Sequence, residues 1–234
     1  SIDTNKVTLY MNGEPWEYKN TNANFKDFNL SETPWEIGGG LPGQGGNYRG
    51  LMEELRIYNR TFTTTEIRQA MHLTERGNNP SLVAYYQFNE STVARFYNRT
   101  GAVHATNGGG TLVQSTAPVA FGVSDIATKT NQGWNFPNVG LQLHSTKESD
   151  TTKRVLGAYR LFAEPDTIPS VAGAQRNTNS YGIVRSWWNN KPLLTDSLIF
   201  TGIGTMSAKD ASSPNNFVIS KRAIANEHRK TWFT

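Results

Sequence analysis

Two adjacent carboxylates, Glu53 and Glu54, are the residues of this chain that come closest to an acid/base pair. They lie in the stretch MEELRIYNRTFTTTEIRQAM, residues 52–71. A glycosidase needs two carboxyl groups about 5 to 10 Å apart that face the same sugar bond. On a strand, neighbouring side chains point to opposite faces and cannot share a cleft. The pattern therefore favours a structural role, in which one glutamate pairs with an arginine and the other holds a loop.

Other patterns that could carry chemistry are weak. The glycine-rich stretch GGGLPGQGG, residues 38–46, lacks the Gly-Lys-Ser/Thr ending of a phosphate-binding loop, and a rim loop that contacts a ligand is the better interpretation. No Gly-x-Ser-x-Gly motif and no EF-hand loop occurs. The four histidines are far apart and carry no metal-ligand spacing. We therefore expect no catalytic residue and no enzyme activity.

Exposed aromatic side chains are the best candidates for a binding role. Trp187 and Trp188 are adjacent, so on a strand one of them must face away from the core. That second ring either lies under a loop or at a domain interface, which is the more common case, or forms a platform on which a sugar stacks. Trp35 and Trp16 lie near predicted loops and raise the same two alternatives. The ligand-binding candidates are Trp187, Trp188, Trp35 and Trp16.

Composition and charge limit the class of protein. The chain has 234 residues, with six Trp, nine Tyr and eleven Phe, which need burial or a partner. It has no cysteine, so it depends on core size or bound metal rather than on disulfides. A net charge of +4 with scattered Lys and Arg argues against nucleic-acid binding. No apolar run has the length of a membrane span, so we expect no membrane insertion.

The elements that position these residues are predominantly strands. Val7, Leu9 and Met11 alternate with polar or aromatic residues, and Asn12-Gly13 supplies a tight turn, so KVTLYMNGEPWEYKN predicts a hairpin.

A change of period predicts one short helix. Thr63 or Thr64 can cap its start, Glu66 occupies a capping-box position, and Gly77 and Pro80 follow its end.

A domain boundary is expected near residues 119–122. Beyond it, strand-like segments recur at the spacing typical of a β-sandwich. The fold class is therefore all-β with one short α-helix.

The segments VTLYMNG, PWEIGG, YRGLMEELRIYNRTFTTTEIRQAM and LVAYYQFNE resemble the second half of a laminin-G-like, concanavalin-A-like jelly-roll module. That family carries a strand of the form Gly-x-Ile-Asp-Glu-Val-Arg-Ile-Tyr-Asn-Arg-Ala-Leu before a short capped helix. The residues that match the motif are Gly50, Glu53, Glu54, Leu55, Arg56, Ile57, Tyr58, Asn59 and Arg60. Glu53 replaces the usual Asp and keeps its charge. Calcium is common at the rim of such modules, so the resemblance implies calcium as a cofactor without assigning its ligands.

The resemblance covers residues 1–119 and starts in the middle of the module. A partial jelly roll leaves apolar faces open, so we expect another chain, another copy or the second sandwich to cover them. The residues on these faces are Val7, Leu9, Met11, Leu55 and Ile57.

The second half of the chain has its own resemblance. LVAYYQFNE, HATNGGGTLVQSTAPVAFG, SYGIVRSWWNN, DSLIFTGIGTMSAKDASSPNNFVISKR and TWFT are similar to the region that follows laminin-G-like modules in large surface proteins of the type IX secretion system. The resemblance implies a second β-sandwich domain, truncated at its C-terminus, and an extracellular or cell-surface location.

Three functions are consistent with these patterns. The first is a non-catalytic binding or adhesion module of a secreted surface protein that recognises a glycan or a surface protein. The second is a structural spacer or assembly subunit that contacts other chains or other parts of its parent polypeptide. The third is an ancillary module of a secreted hydrolase. Exposed aromatic residues would favour the first function, and extensive apolar contacts with other chains would favour the second.

Overall fold

The protein divides into two compact units that interleave along the chain. In this computed structural model the described residues are 2–3, 6–18, 35–40, 46–92, 94–115, 117–131, 133–145, 154–164, 180–187 and 197–200. Unit 1 comprises residues 1–63 and 75–117, and unit 2 comprises residues 64–74 and 118–234.

Unit 1 is built from short antiparallel strands. Its strands are β1 (Ile2–Asp3), β2 (Lys6–Met11), β3 (Glu14–Tyr18), β4 (Leu55–Tyr58), β5 (Leu82–Tyr86), β6 (Arg95–Phe96) and β7 (Ala105–Thr106). They form one three-stranded sheet, in the order β1-β2-β3, and the two pairs β4-β5 and β6-β7.

The predicted hairpin is confirmed in β2 and β3. Asn12 and Gly13 have φ angles of 53° and 78°, which are the two positive values that a type I′ turn requires. The register places Leu9 opposite Trp16. Leu9 and Met11 are more than half exposed, whereas Leu55 and Ile57 are half-buried. The expectation that another chain, another copy or the second sandwich covers these faces stays a prediction.

Among its described residues, unit 2 contains one helix and two antiparallel three-stranded sheets. Its elements are α1 (Thr64–Ala70), β8 (Gly122–Thr128), β9 (Gly133–Phe136), β10 (Leu141–His144), β11 (Val155–Leu161), β12 (Tyr181–Trp187) and β13 (Ser197–Phe200). The sheet orders are β12-β11-β8 and β13-β10-β9.

The central strand β11 is covered on both faces because its side chains alternate. Leu156 and Ala158 pack with Trp134, Phe136 and other apolar residues of β9 and β10, so the two sheets share an apolar core. Tyr159 and Leu161 point the other way and form a second cluster, in which they are completely buried.

The helix and the residues after it cover that second face. Met71 and Leu73 pack against the Tyr159 cluster, and the Tyr159 hydroxyl donates a hydrogen bond to the carbonyl of Arg68 in α1. Ser124 Oγ of β8 donates to the carbonyl of Gln69 at 3.1 Å. These contacts place residues 64–74 in unit 2, which differs from the expected division of the chain into residues 1–119 and 120–234. The assignment of those two ranges to a partial jelly roll and a second sandwich domain stays a prediction.

The all-β fold class with one short helix is confirmed for the described part of the chain. Within the same residues, no helix has both the length and the apolar character needed to cross a membrane.

Candidate functional site

Glu54 is held by three polar side chains at the start of β4. Its Oε2 atom accepts hydrogen bonds from Arg56, at 2.8 Å in an ion pair, and from the hydroxyl of Tyr85. Its Oε1 atom accepts one from Gln87 Nε2 at 3.2 Å. The φ angle of Glu54 is 54°, in the left-handed region, and the residue precedes the strand. The sequence argument from strand alternation is therefore wrong at this position.

Glu53 has a separate partner. Its Oε2 atom accepts a hydrogen bond from Ser115 Oγ at 2.7 Å, and Ser115 Oγ in turn accepts one from the backbone N–H of Ala117 at 3.2 Å. Glu53 thus holds Ser115, which in turn holds the backbone of Ala117, while Glu54 pairs with Arg56. This is the arrangement that the structural interpretation of the two carboxylates expects.

The contacts of Glu54 continue into a polar network between β4, β5 and the segment 75–79. The Tyr58 hydroxyl and the Asn79 amide both donate to the carboxylate of Glu75. The backbone N–H of Glu75 donates to the Tyr85 hydroxyl at 3.3 Å.

Burial keeps the tyrosines of this network protonated. Burial and the hydrogen bond to Glu54 raise the pKa of Tyr85 to about 12. Burial and the hydrogen bond to Glu75 also raise the pKa of Tyr58. Both hydroxyls therefore act as hydrogen-bond donors at neutral pH, and both carboxylates are engaged as their acceptors. The network ties three segments of unit 1 together.

Two motif residues have backbone or steric roles. Asn59 donates its backbone N–H to the carbonyl of Ser81 at 3.0 Å, which extends the pairing of β4 and β5. A Cβ added at Gly50 would lie 2.7 Å from the Tyr48 hydroxyl and 2.9 Å from its ring carbon Cζ. A side chain at position 50 would therefore displace the Tyr48 ring.

Tyr48 also joins the two described parts of the glycine-rich loop. Its backbone N–H donates to the carbonyl of Gly38 at 2.8 Å, and its hydroxyl donates to the carbonyl of Leu51 at 2.9 Å. The N–H of Gly40 donates to Asn47 Oδ1 at 3.0 Å. The loop is thus fastened at its base, while the Tyr48 side chain remains 56% exposed.

The structure separates the four candidate tryptophans. Trp16 is 65% exposed on β3, and Trp35 is 55% exposed before the glycine-rich loop. Trp187 is only 5% exposed. The Arg68 guanidinium lies 4.6 Å from the centre of its ring. Trp187 is therefore a buried core residue and offers no open face for a sugar. Trp188 lies outside the described residues.

Sequence reasoning missed Tyr48 and Tyr85. Alternation along LVAYYQFNE predicts one buried side of β5, but Tyr85 is buried together with Leu82, Ala84 and Tyr86. The pair could have been recognised from its chemistry. A buried tyrosine needs an acceptor for its hydroxyl, and Glu54 directly precedes the strand that pairs with β5.

No carboxylate cluster identifies a calcium site among the described residues. Calcium binds six to eight oxygen ligands, mainly from carboxylates, carbonyls and water. Within the described segments, no group of three or more His, Asp or Glu side chains is placed to hold a metal ion. Calcium binding stays a prediction from the family resemblance.

The comparison with protein families finds one match. A laminin-G family model, described as the concanavalin A-like lectin/glucanases superfamily, matches residues 1–68, which is less than a third of the chain. This supports the laminin-G-like resemblance over those residues. Domains of this kind are often carbohydrate-binding or protein-binding modules. No curated protein and no solved structure matches the chain significantly.

Proposed function

We propose that this chain is a non-catalytic binding or adhesion module of a secreted cell-surface protein, and that exposed aromatic side chains of unit 1 contact its ligand. The observation that carries the proposal is the exposure of Trp16, Trp35 and Tyr48. All three lie within the residues that match the superfamily of lectins and glucanases. An exposed aromatic ring offers a flat apolar face for a sugar ring or for an apolar side chain of a protein.

The glutamates support a non-catalytic role. Glu54 accepts from three side chains and Glu53 holds a loop, so neither has the open position that an acid or a nucleophile needs beside a sugar bond. The surface location and the type IX route of export rest on the resemblance of the second half of the chain and belong to the same proposal.

A glycan microarray tests the ligand class and the residues together. We expect the full chain to bind one class of glycan. Replacing Trp16, Trp35 or Tyr48 by Ala should weaken that binding about fivefold or more, since an aromatic contact contributes on the order of 1 kcal/mol. Tyr97→Ala is the matched control, because Tyr97 is also an exposed aromatic residue of unit 1 but lies outside the matched range.

Two outcomes would count against this proposal. If all three variants bind as the wild type does, the aromatic side chains do not form the site. If incubation releases shortened glycans and Glu54→Gln abolishes that release, the chain is an enzyme.

The exposed hairpin face favours one second candidate, an assembly subunit. Leu9, Met11 and Trp16 share this face, because Leu9 pairs with Trp16 and Met11 follows two residues later. Self-association measured by sedimentation should then weaken in Leu9→Ser and Met11→Ser but not in Val103→Ser, which changes an even more exposed apolar residue of unit 1. A monomer at all concentrations would rule out self-assembly through this face.

A further inference from the structure

His72 lies at a junction between two distant segments of unit 2. It follows α1 and is 7% exposed. Its carbonyl accepts the N–H of Ala120 at 3.2 Å, and the carbonyl of Ala120 accepts the N–H of Thr74 at 2.9 Å. Leu73 and Ala120 form a parallel bridge between these bonds. Residues 72–74 and 118–120 are thus paired as two short parallel segments.

The His72 side chain fastens the same two segments. Its Nδ1 atom lies 3.1 Å from the carbonyl oxygen of Pro118. A carbonyl oxygen only accepts, so Nδ1 carries the proton and donates it, and Nε2 carries a lone pair. Nε2 is buried and has no hydrogen-bond partner among the described residues. The ring packs edge-on against Tyr159 at 4.7 Å, so the imidazole is held by one hydrogen bond and by apolar contact.

Neither the 118–120 segment nor the last turn of the helix carries a carboxylate that would pair with a charged imidazole. Residues 118–120 are Pro, Val and Ala, which have no titratable side chain. The helix carries Arg68 in its last turn, near His72 in sequence, and Glu66 in its first turn.

The sheet is equally unfavourable to a charge. Arg185 of β12 acts on His72 as a like charge, and Tyr181 lies on the same face of that strand. Tyr159 of β11 stays neutral because burial raises its pKa. Asp125 of β8 is on the opposite face of the sheet, where it binds the 138–139 turn through hydrogen bonds of 2.6 to 3.2 Å.

We propose that His72 is a proton-operated latch: the neutral imidazole fastens residues 64–74 to residues 118–120 and to the sheet, and protonation of Nε2 releases them. Protonation would place a charge and an unpaired N–H donor in a buried position that faces Arg185. Opening of the segment exposes the charged ring and its N–H donor to water, which solvates them. The device is independent of the proposed binding function.

The direction of the effect follows from burial. Burial lowers the pKa of His72, so the unfolded or opened state binds the proton more readily than the closed state. The stability that the closed segment contributes is therefore complete above the ordinary histidine pKa of about 6.5. It is lost progressively as the pH falls below that value, toward the lower pKa of the closed state.

Hydrogen exchange of the full chain tests the latch at named amides. The N–H groups of Thr74 and Ala120 report on the junction, and those of β11 serve as the internal reference. The exchange rates are first corrected for the intrinsic effect of pH. Lowering the pH from about 7.5 to about 5 should then reduce protection of the two junction amides roughly tenfold or more relative to β11. The reason is that the opening equilibrium changes tenfold for each pH unit over which the open state binds one extra proton.

Variants separate the proton from the packing. His72→Asn keeps an amide donor for Pro118 and cannot titrate, while His72→Phe keeps a ring against Tyr159. Both should remove the acid-dependent loss of protection, and His144→Asn, a histidine change on β10 of the same unit, should leave it intact. If wild type and His72→Asn lose equal protection on acidification, the latch does not exist. If neither His72 variant folds, unchanged junction protection in the wild type down to about pH 5 overturns the proposal in the same way.

Discussion

The two units contain three-stranded antiparallel sheets of opposite character. In β12-β11-β8 the central strand is covered on one face by β9 and β10 and on the other by α1 and the residues after it. In β1-β2-β3 the hairpin presents an apolar face on which Leu9 is 54% exposed, whereas Leu156 of β11 is 0% exposed. Alternating strands thus yield a core only where a second layer is present, and the described residues of unit 1 supply none for this hairpin.

Unit 1 also differs in what stabilises its interior. The pair β4-β5 is centred on Tyr85, whose hydroxyl contacts Glu54, Glu75 and Gln87. Around β11 the buried residues are predominantly apolar. Polar networks contribute little net free energy but are costly to leave incomplete, so the two units should respond to different kinds of substitution.

The largest effect is expected from the same leucine truncation on the two sheets. Leu156→Ala should lower the free energy of unfolding by about 2 to 5 kcal/mol, because it leaves a cavity in a packed core. Leu9→Ala should change it by less than about 0.5 kcal/mol, since more than half of the side chain is already exposed. Urea unfolding followed by tryptophan fluorescence measures both. A large loss in Leu9→Ala would show that the hairpin face is covered, and the comparison between the sheets would fail.

A glycine pair tests how tightly the face beneath the helix is filled. A Cβ at Gly157 would lie 2.6 Å from Trp187 Cη2 and 2.9 Å from Ile126 Cδ1. Gly157→Ala should therefore destabilise unit 2 by about 1 to 3 kcal/mol through overpacking. Gly182→Ala is the matched control in the same sheet, because its Cβ would meet the Tyr159 carbonyl oxygen at an ordinary 3.6 Å. Equal stability of the two variants would mean that the Trp187 ring shifts freely.

The smallest effect concerns the polar centre of unit 1. Tyr85→Phe removes the hydroxyl that Glu54 and Gln87 share, but Glu54 keeps Arg56 as a partner. We therefore expect a loss of about 1 kcal/mol, at the low end for a buried hydrogen bond. Tyr97→Phe, at an exposed tyrosine of the same unit, is the control and should be neutral.

The same variant makes a prediction for alkaline pH. The pKa of Tyr85 is raised to about 12 in the folded chain, above the ordinary value of about 10. The stability linked to its proton is complete below pH 10 and is lost as the pH rises toward about 12. Unfolding midpoints across this interval should fall more steeply for the wild type than for Tyr85→Phe. Parallel curves would show that the hydroxyl is not buried as described.

The features predicted from sequence are those that depend on neighbouring residues. Asn12-Gly13 specifies its turn because two positive φ angles are needed there, and Thr63 with Glu66 marks the start of α1 one residue before Thr64. These are local rules, and the hairpin and the helix follow them.

The features that sequence did not predict depend on distant residues. The position of α1 follows from the hydrogen bond between Arg68 and Tyr159, which are 91 residues apart. The burial of Tyr85 depends on Glu54, and the burial of Trp187 depends on Gly157 and Arg68. The left-handed φ of Glu54 invalidated the alternation argument, because the strand begins only at Leu55. Nothing within a short window of residues specifies these contacts.

The interleaving of the two units has a consequence for biosynthesis. During synthesis residues 64–74 leave the ribosome before residues 75–117, and the strands that residues 64–74 cover follow only after residue 117. During that interval the helix has no sheet to lie on, and a seven-residue helix is not stable by itself. Contacts of such long range slow folding, so unit 2 should fold only after residues 75–117 of unit 1 have been synthesised. A fragment that starts at residue 118 would also lack the cover of Tyr159 and would expose that face to aggregation.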